Sequence, residues 1–240
     1  MPDWISLDEF VDGLDADRRT VEFLAPALSF ESEPTSGDDV LGMFWRAYLM
    51  LQDADGLVGD PSIMVGQVDF ILVPAGSAFA SDQLRLTAAL RPWQVDRFAG
   101  LFPGPDVDSG VDPWGTVELV LGIVDVVVDS ALRGNKLGLW AVAQTVATML
   151  PFSSGLVAMY PHWEAEANTA VSVEAAERVE RFNRYWANAG LHPLPGHPQI
   201  LGALTASSTL SEAYAAIQEE FYGHDAPSIE LPVSRFEWGS

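Results

Sequence analysis

The segment that decides the fold spans residues 117–150 and reads VELVLGIVDVVVDSALRGNKLGLWAVAQTVATML. Residues 117–128 are almost all apolar and β-branched, a pattern typical of a strand that is buried on both faces. Residues 137–150 carry apolar side chains at helical spacing, namely Leu139, Val142, Val146 and Leu150. A short loop that contains glycine lies between these two runs. The segment therefore predicts a buried strand, a loop and an amphipathic helix in that order.

The back half continues with a further strand, two helices and a terminal strand. Residues 155–160 are an apolar run typical of a buried strand. A helix is expected over residues 172–190, with an apolar face formed by Ala175, Val179, Phe182 and Trp186. Thr209 and Glu212 fit a capping box that starts another helix. Residues 229–238 favour a terminal strand.

The front half is rich in predicted strands. Ser6 and Glu9 fit a capping box, so a short helix is expected to run to Leu14. Residues 84–101 predict a helix interrupted by a proline, and residues 103–113 predict a loop rich in Pro, Gly and Asp. Strands are expected over 21–30, 42–51 (or a short helix there) and 64–73. Together the two halves predict an α/β (α+β) protein with a mixed, twisted sheet flanked by helices.

Length and composition predict a soluble, cytoplasmic protein. The chain has 240 residues, 48% of them hydrophobic, which is enough to bury a substantial core. We expect a single domain over 1–240, with an N-terminal helical segment at 1–20 and a C-terminal extension at 205–240. No apolar run reaches the length of a membrane span, and no signal sequence is recognised. The absence of cysteine excludes disulfides, thiolate metal sites and a cysteine nucleophile.

The charge of the chain is strongly negative. It has 34 acidic residues against 12 Lys and Arg, giving a formal net charge of -22, which disfavours nucleic acid and anionic membranes as partners. The acidity is explained either by a solvated surface or by a field that attracts a cationic substrate. The one lysine of the chain, Lys136, lies close to Arg133 in the loop of the deciding segment. The sequence therefore predicts a local positive site in a negative protein.

This loop is a candidate anion-binding site. A loop between a buried strand and a helix presents free backbone N–H groups and the positive end of the helix dipole. The loop lacks the Gly-Lys-Ser/Thr ending of a Walker loop and the Gly-x-Gly-x-x-Gly of a dinucleotide site. The alternative interpretation is an ordinary turn with solvated basic side chains.

Residues 124–139 resemble the acetyl-CoA-binding motif of the GCN5-related N-acetyltransferase (GNAT) superfamily, Gln/Arg-x-x-Gly-x-Gly/Ala after a buried strand. Arg133 and Gly138 match the first and last positions, and Lys136 stands at the middle glycine. Residues 182–191 are similar to the later helix of that family, which ends in an aromatic residue and Gly-Phe. The resemblance covers about a third of the chain and identifies it as a divergent GNAT-like member.

The resemblance implies a cofactor site and its residues. The strand before the loop should separate from the next strand, and the pantetheine arm should lie in that gap beside Val126, Val127 and Val128. A backbone N–H there should polarise the thioester carbonyl. The pyrophosphate should be held by the loop and the first helical turn, which comprise Arg133, Gly134, Asn135, Lys136, Leu137, Gly138 and Leu139.

Candidate catalytic groups are less well matched. The family tyrosine that protonates the leaving thiolate should lie four residues before Gly190, where this chain has Trp186, so its neighbour Tyr185 is the candidate acid. His162 follows the second buried strand and is a candidate proton acceptor. Glu118 and Asp125 lie on the strand before the loop, where some family members keep a general base. A structural aromatic and an ordinary surface histidine are the alternatives.

The expected function is transfer of an acetyl group from acetyl-CoA to a primary amine of unknown identity. The alternative is a non-catalytic CoA-binding or acidic interaction protein that keeps the fold. The expected partners are acetyl-CoA and an amine acceptor, and the net charge favours a cationic acceptor. Neither nucleic acid nor a membrane is expected as a partner. A homodimer is left open. No His-Glu-x-x-His or similar spacing predicts a metal, and no Gly-x-Ser-x-Gly predicts a serine hydrolase.

Overall fold

The computed structural model describes residues 4–33, 43–57, 60–75, 98, 101, 117–150, 154–160, 173–223 and 228–236. The part described contains strands and α-helices in this order: β1 Trp4–Ser6, α1 Leu7–Asp12, β2 Thr20–Phe23, β3 Ala27–Glu33, β4 Met43–Leu51, β5 Ser62–Pro74, β6 Leu119–Val128, α2 Leu137–Met149, β7 Gly155–Met159, α3 Val173–Ala187, β8 His192–Leu194, β9 His197–Leu204, α4 Ser208–Tyr222 and β10 Ile229–Pro232.

An eight-stranded mixed sheet forms the centre of the molecule. Its strand order is β3-β4-β5-β6-β7-β9-β8, and β1 pairs with the beginning of β5. Most neighbours are antiparallel, whereas the β6–β7 and β1–β5 pairs are parallel. The helix α2 connects the parallel strands β6 and β7, as a parallel pair requires a crossover connection. The fold class is therefore mixed α and β, with a largely antiparallel sheet flanked by helices.

Both faces of the sheet are buried around β6 and β7. Alternate residues of β6 enter different cores: Leu121 and Ile123 pack with the helix α2, whereas Val120 and Val124 pack on the opposite face. Burial on both faces explains the continuous apolar run of β6, since neither face can carry polar side chains cheaply. The helix α2 is itself buried nearly all round, which matches its apolar sequence.

A β-bulge interrupts the pairing of β5 with β6. Asp69 lies opposite Asp125, whereas Phe70 lies opposite Ile123, so Val124 is the additional residue on β6. A bulge bends its strand and increases the local twist. The C-terminal part of β6, which leads to the loop, is therefore redirected relative to the part before the bulge.

A second, two-stranded sheet joins segments from near the two ends of the chain. The strand β10 pairs with β2 in antiparallel register, from Ile229 opposite Phe23 to Pro232 opposite Thr20. The backbone N–H of Val233 continues the ladder by donating to Arg19 O at 2.9 Å. We call β2 and β10 the terminal ribbon.

Several sequence predictions are confirmed. The capping box at Ser6 and Glu9 is present, with both reciprocal hydrogen bonds, and it begins α1. The strands expected over 64–73 and 155–160 are β5 and β7, and 42–51 is a strand, not a helix.

The strand predicted over 21–30 is wrong as a single element. The chain forms β2 in the terminal ribbon, leaves it, and then forms β3 at the edge of the main sheet. Pro26 lies in the break, where it offers no N–H for a ladder. The Leu24 N–H donates to Gln52 O at 2.9 Å in the same break.

The capping box predicted at Thr209 and Glu212 is also wrong. The helix α4 starts earlier, with Ser207 at the N-cap and no hydrogen bond from a capping side chain. The hydroxyls of Ser207 and Thr209 instead contact each other. A serine-rich start offers several similar caps, so the pattern alone could not select among them.

Two further differences concern strands near the end of the chain. The hairpin β8–β9 was not predicted, and His192 and His197 lie in its strands. The terminal strand predicted over 229–238 ends at Pro232, where the chain enters a 3-10 turn. Apart from positions 98 and 101, the predictions for 84–101 and 103–113 lie outside the described residues.

Candidate anion-binding site between β6 and α2

The loop after β6 is shaped by local hydrogen bonds. The Asp129 carboxylate accepts from the Ala131 N–H at 2.8 Å and caps a 3-10 turn over Ser130–Leu132. The side-chain amide of Asn135 donates to Leu132 O at 3.0 Å and closes the following turn. Asx-type hydrogen bonds of this kind fix a turn without help from distant residues. The backbone conformation of the loop is therefore determined largely by the loop residues themselves.

Two residues of the loop have left-handed backbone conformations. Gly134 has φ +94°, and Lys136 has φ 56° and ψ 14°. Lys136 is the one residue other than glycine with positive φ in the described part of the chain. The lysine thus adopts a glycine-like conformation at the position where the GNAT motif has its middle glycine. A side chain in this region costs about 1–2 kcal/mol, which is the kind of strain found at functional sites.

The first turn of α2 presents its backbone N–H groups to the loop. The first intrahelical bond runs from Trp140 N–H to Lys136 O at 3.1 Å, and the N-cap Lys136 supplies no capping side chain. The N–H groups of Leu137, Gly138 and Leu139 precede that bond, so the helix itself offers them no acceptor. Together with the helix dipole they favour a bound anion.

Tyr185 of α3 reaches this first turn. Its hydroxyl oxygen lies 3.2 Å from the position that a β-carbon on Gly138 would occupy, beside the backbone N–H of Leu139. Partial burial raises the pKa of Tyr185, and the Leu139 N–H opposes part of that rise. The phenol therefore keeps its proton at neutral pH. A cleft of about 300 Å³ is lined by Val128, Leu132, Arg133, Gly134, Lys136, Leu137, Gly138 and Tyr185.

Three cationic residues meet at the loop. Arg133 and Lys136 are exposed, and the Lys136 ammonium pairs with Glu220 of α4 at 2.8 Å. Arg235, in the 3-10 turn after β10, donates from Nη2 to Arg133 O at 3.0 Å. Sequence reasoning missed Arg235, because a contact between residues 102 positions apart leaves no local pattern.

The strand β6 extends beyond its pairing with β7. That pairing ends at Ile123 and Met159, whereas β6 continues to Val128 and stays paired with β5 along its other edge. The Val126 N–H donates to the Asp125 carboxylate at 2.8 Å, and the Val127 side chain is 45% exposed. Among the described residues, the last part of β6 therefore extends beyond the end of β7, which is Met159.

The remaining candidate catalytic residues do not lie at the loop in the described part of the chain. His162 lies outside the described residues. Trp186 is buried, and its indole N–H has no hydrogen-bond partner among the residues that the structure describes. An indole N–H donates hydrogen bonds but does not ionise in the pH range of proteins, so Trp186 does not replace a tyrosine as an acid. The backbone N–H of Glu118 donates to Ser154 O at 2.7 Å, at the opposite end of β6 from the loop.

A buried ion pair near the bulge was also missed. Arg46 of β4 donates to Asp69 of β5 through Nε at 2.7 Å and Nη2 at 3.2 Å, and the Asp69 side chain is 6% exposed. The Asp69 carboxylate raises the pKa of Arg46 above its usual range. Asp69 lies opposite Asp125 in the register, so charged residues cross three adjacent strands here. Such a row depends on strand register, which the sequence pattern does not reveal.

Comparisons with known proteins do not identify a family for this chain. No family model, curated protein or solved structure matches the chain. Among the described residues, no group of three or more His, Cys, Asp and Glu side chains is arranged to hold a metal ion. No helix in the described ranges is both long and apolar enough to cross a membrane. The geometry of the loop is therefore the main guide to function.

Proposed function

We propose that this chain has a GNAT-like fold, binds acetyl-CoA at the loop between β6 and α2, and transfers the acetyl group to a primary amine. The observation that carries the proposal is the left-handed Lys136 before the first turn of α2. A left-handed conformation is one that glycine adopts freely, so it supports an equivalence between Lys136 and the middle glycine of the motif. The N–H groups of Leu137 and Gly138 have no acceptor within the helix, so a bound pyrophosphate would accept hydrogen bonds from them.

The surroundings of the loop support the same ligand. The strand β6 runs past the end of its pairing with β7, which offers an edge for the pantetheine arm beside Val126, Val127 and Val128. The exposed cation Arg133 begins the motif and would attract the phosphates in a protein of net charge -22. The same net charge favours a cationic amine acceptor, such as a polyamine.

In the proposed reaction the neutral amine attacks the thioester carbonyl carbon, the C–S bond breaks, and the leaving thiolate takes a proton. Tyr185 is the proposed acid, since partial burial raises its pKa and keeps it protonated. In this structure the Tyr185 hydroxyl lies beside the Leu139 N–H, where the pyrophosphate is proposed to bind, so the role of acid requires Tyr185 to leave that position and reach the sulfur at the other end of the pantetheine arm. His162 remains the proposed acceptor of the amine proton.

The test is calorimetric titration of CoA into the purified chain, followed by an assay of free-thiol release from acetyl-CoA with a panel of amines. We expect CoA to bind and at least one cationic amine to raise thiol release above the hydrolysis background. Failure of CoA to bind would overturn the proposed cofactor and with it the acetyltransferase.

A second candidate is a CoA-binding protein without catalysis. It is favoured by one observation, the buried Trp186 at the position of the family tyrosine. The assay above separates the two candidates, because this one predicts that CoA binds while no amine in the panel increases thiol release.

A further inference from the structure

We infer that Arg235 is a phosphate-binding residue of the proposed CoA site and recognises the 3′-phosphate of the ligand. The inference rests on the proposed function and adds to it a residue outside the motif. It arises from the contact between the C-terminal 3-10 turn, Val233–Arg235, and the loop that starts at Arg133.

The guanidinium of Arg235 is held at the loop with most of its donors unused. Its Nη2 donates to Arg133 O at 3.0 Å, and the residue is exposed. A guanidinium has five N–H donors, so one such bond leaves the planar fork available. Neither Arg235 nor Arg133 has a carboxylate partner within the described part of the chain, whereas Lys136 is paired with Glu220. The two arginines are therefore the cations available to a ligand.

The position of Arg235 is set by backbone hydrogen bonds. The strand β10 ends at Pro232 opposite Thr20, the Val233 N–H donates to Arg19 O at 2.9 Å, and the Phe236 N–H donates to Val233 O at 3.0 Å. The turn that carries Arg235 is thus fixed to the terminal ribbon on one side and contacts the loop on the other. A cation held in place before binding loses less conformational freedom when it binds.

CoA has two phosphate groups of different chemistry, a pyrophosphate and a 3′-phosphate, and each fits a different part of the proposed site. The pyrophosphate needs close approach to backbone N–H groups, which the first turn of α2 supplies. The 3′-phosphate is a separate monoester near dianionic at neutral pH, and a planar guanidinium binds such a group through two parallel hydrogen bonds. Arg235 contacts the loop at Arg133 and is not among the residues that line the cleft beside the first turn of α2. We therefore expect Arg235 to distinguish CoA from dephospho-CoA.

The experiment compares CoA and dephospho-CoA by calorimetric titration of the full chain. The variants are Arg235→Ala, Arg235→Gln, which keeps a donor for Arg133 O without the charge, and Arg19→Ala. Arg19 is the matched control, because it is an exposed arginine directly before β2 whose guanidinium makes no hydrogen bond or ion pair with the loop in the described part of the chain. Thermal melts show whether each variant is folded.

We expect both Arg235 variants to weaken CoA binding about tenfold, with less than a twofold change for dephospho-CoA. Arg19→Ala should leave both affinities unchanged. Equal CoA affinity in wild type and folded Arg235→Gln would overturn the inference while leaving the proposed function intact. An equal loss for both ligands would also overturn it, since Arg235 would then only support the loop. If wild type binds neither ligand, the proposed function itself fails.

Discussion

The Tyr185 hydroxyl lies 3.2 Å from the position that a β-carbon on Gly138 would occupy. That position is also 3.6 Å from Val126 Cγ1 and 3.7 Å from Val128 Cγ2. Because Gly138 has no side chain, a small space remains between α3, β6 and the first turn of α2. A single added methyl group fits there with a small displacement, whereas a branched side chain requires Tyr185 to move away.

Replacing Gly138 tests whether this space holds a ligand. Gly138→Val should abolish measurable CoA binding, because its methyl groups fill the cleft beside the N–H groups of α2. Stability should fall by no more than about 1–2 kcal/mol, since a helical residue other than glycine is tolerated and the neighbouring tyrosine can move. Calorimetric titration and urea unfolding of the same preparation measure the two effects. A folded valine variant that binds CoA as well as wild type would remove the loop as the pyrophosphate site.

Gly134 provides the control for Gly138. A β-carbon on Gly134 has no atom within 4 Å, but the residue has φ +94°. Gly134→Ala should therefore lower stability by about 1 kcal/mol through backbone strain, while its methyl group contacts no other residue. Gly138→Val should therefore mainly reduce the affinity for CoA, whereas Gly134→Ala should mainly reduce the stability of the fold.

Tyr185→Phe tests the proposed acid. Turnover with a saturating amine should fall at least about tenfold, equivalent to about 1.4 kcal/mol of transition-state stabilisation, with little change in acetyl-CoA affinity. Since burial raises the pKa of Tyr185, the wild-type rate should show no loss from its ionisation until well above neutral pH. Tyr222→Phe is the matched control, because that hydroxyl donates to Pro26 O at 2.7 Å and does not line the cleft. An unchanged rate in Tyr185→Phe would exclude it as the acid.

The sequence was sufficient for the part of the site formed by adjacent residues. The run from β6 through the loop to α2 has strong local signals: continuous β-branched residues, Asx hydrogen bonds and a helical apolar stripe. Arg133 and Gly138 were assigned to the candidate site through their resemblance to the GNAT motif. The left-handed conformation of Lys136 could not be predicted, because a lysine gives no sign of positive φ.

The remainder of the site depends on contacts between distant segments. Arg235 reaches the loop only because β10 pairs with β2, and neither the pairing nor its register has a local signature. The Arg46–Asp69 pair is similarly determined by how β4 and β5 align. Pro26 was a local signal that could have divided the strand predicted over 21–30, since proline removes a ladder donor.

Asp53→Asn tests a pH-dependent link between the N-terminal segment and the main sheet. Both carboxylate oxygens of Asp53 accept from Arg18 at 2.6 Å, which lowers the pKa of Asp53. A lowered folded-state pKa contributes stability that is complete above the unfolded value of about 3.9 and is lost as the pH falls through the folded value. We expect a loss of about 2 kcal/mol at pH 7 that shrinks below about pH 4.

Urea unfolding of wild type and Asp53→Asn at several pH values between 7 and 3 measures this difference. Asp55→Asn is the control, because its side chain is 78% exposed and touches the same guanidinium at 3.0 Å. It should change stability by less than about 0.5 kcal/mol. A difference for Asp53→Asn that stays constant down to pH 3 would contradict the assignment.

Lys136 allows backbone conformation to be separated from charge. Lys136→Gly and Lys136→Ala both remove the ammonium and its ion pair with Glu220, so they differ only in how well the residue accepts φ 56°. The glycine variant should be more stable than the alanine variant by about 1 kcal/mol in urea unfolding. It should also bind CoA more tightly, because the first N–H groups of α2 keep their direction only while residue 136 stays left-handed. If the alanine variant matches the glycine variant in both measurements, the left-handed conformation contributes neither to stability nor to the proposed site.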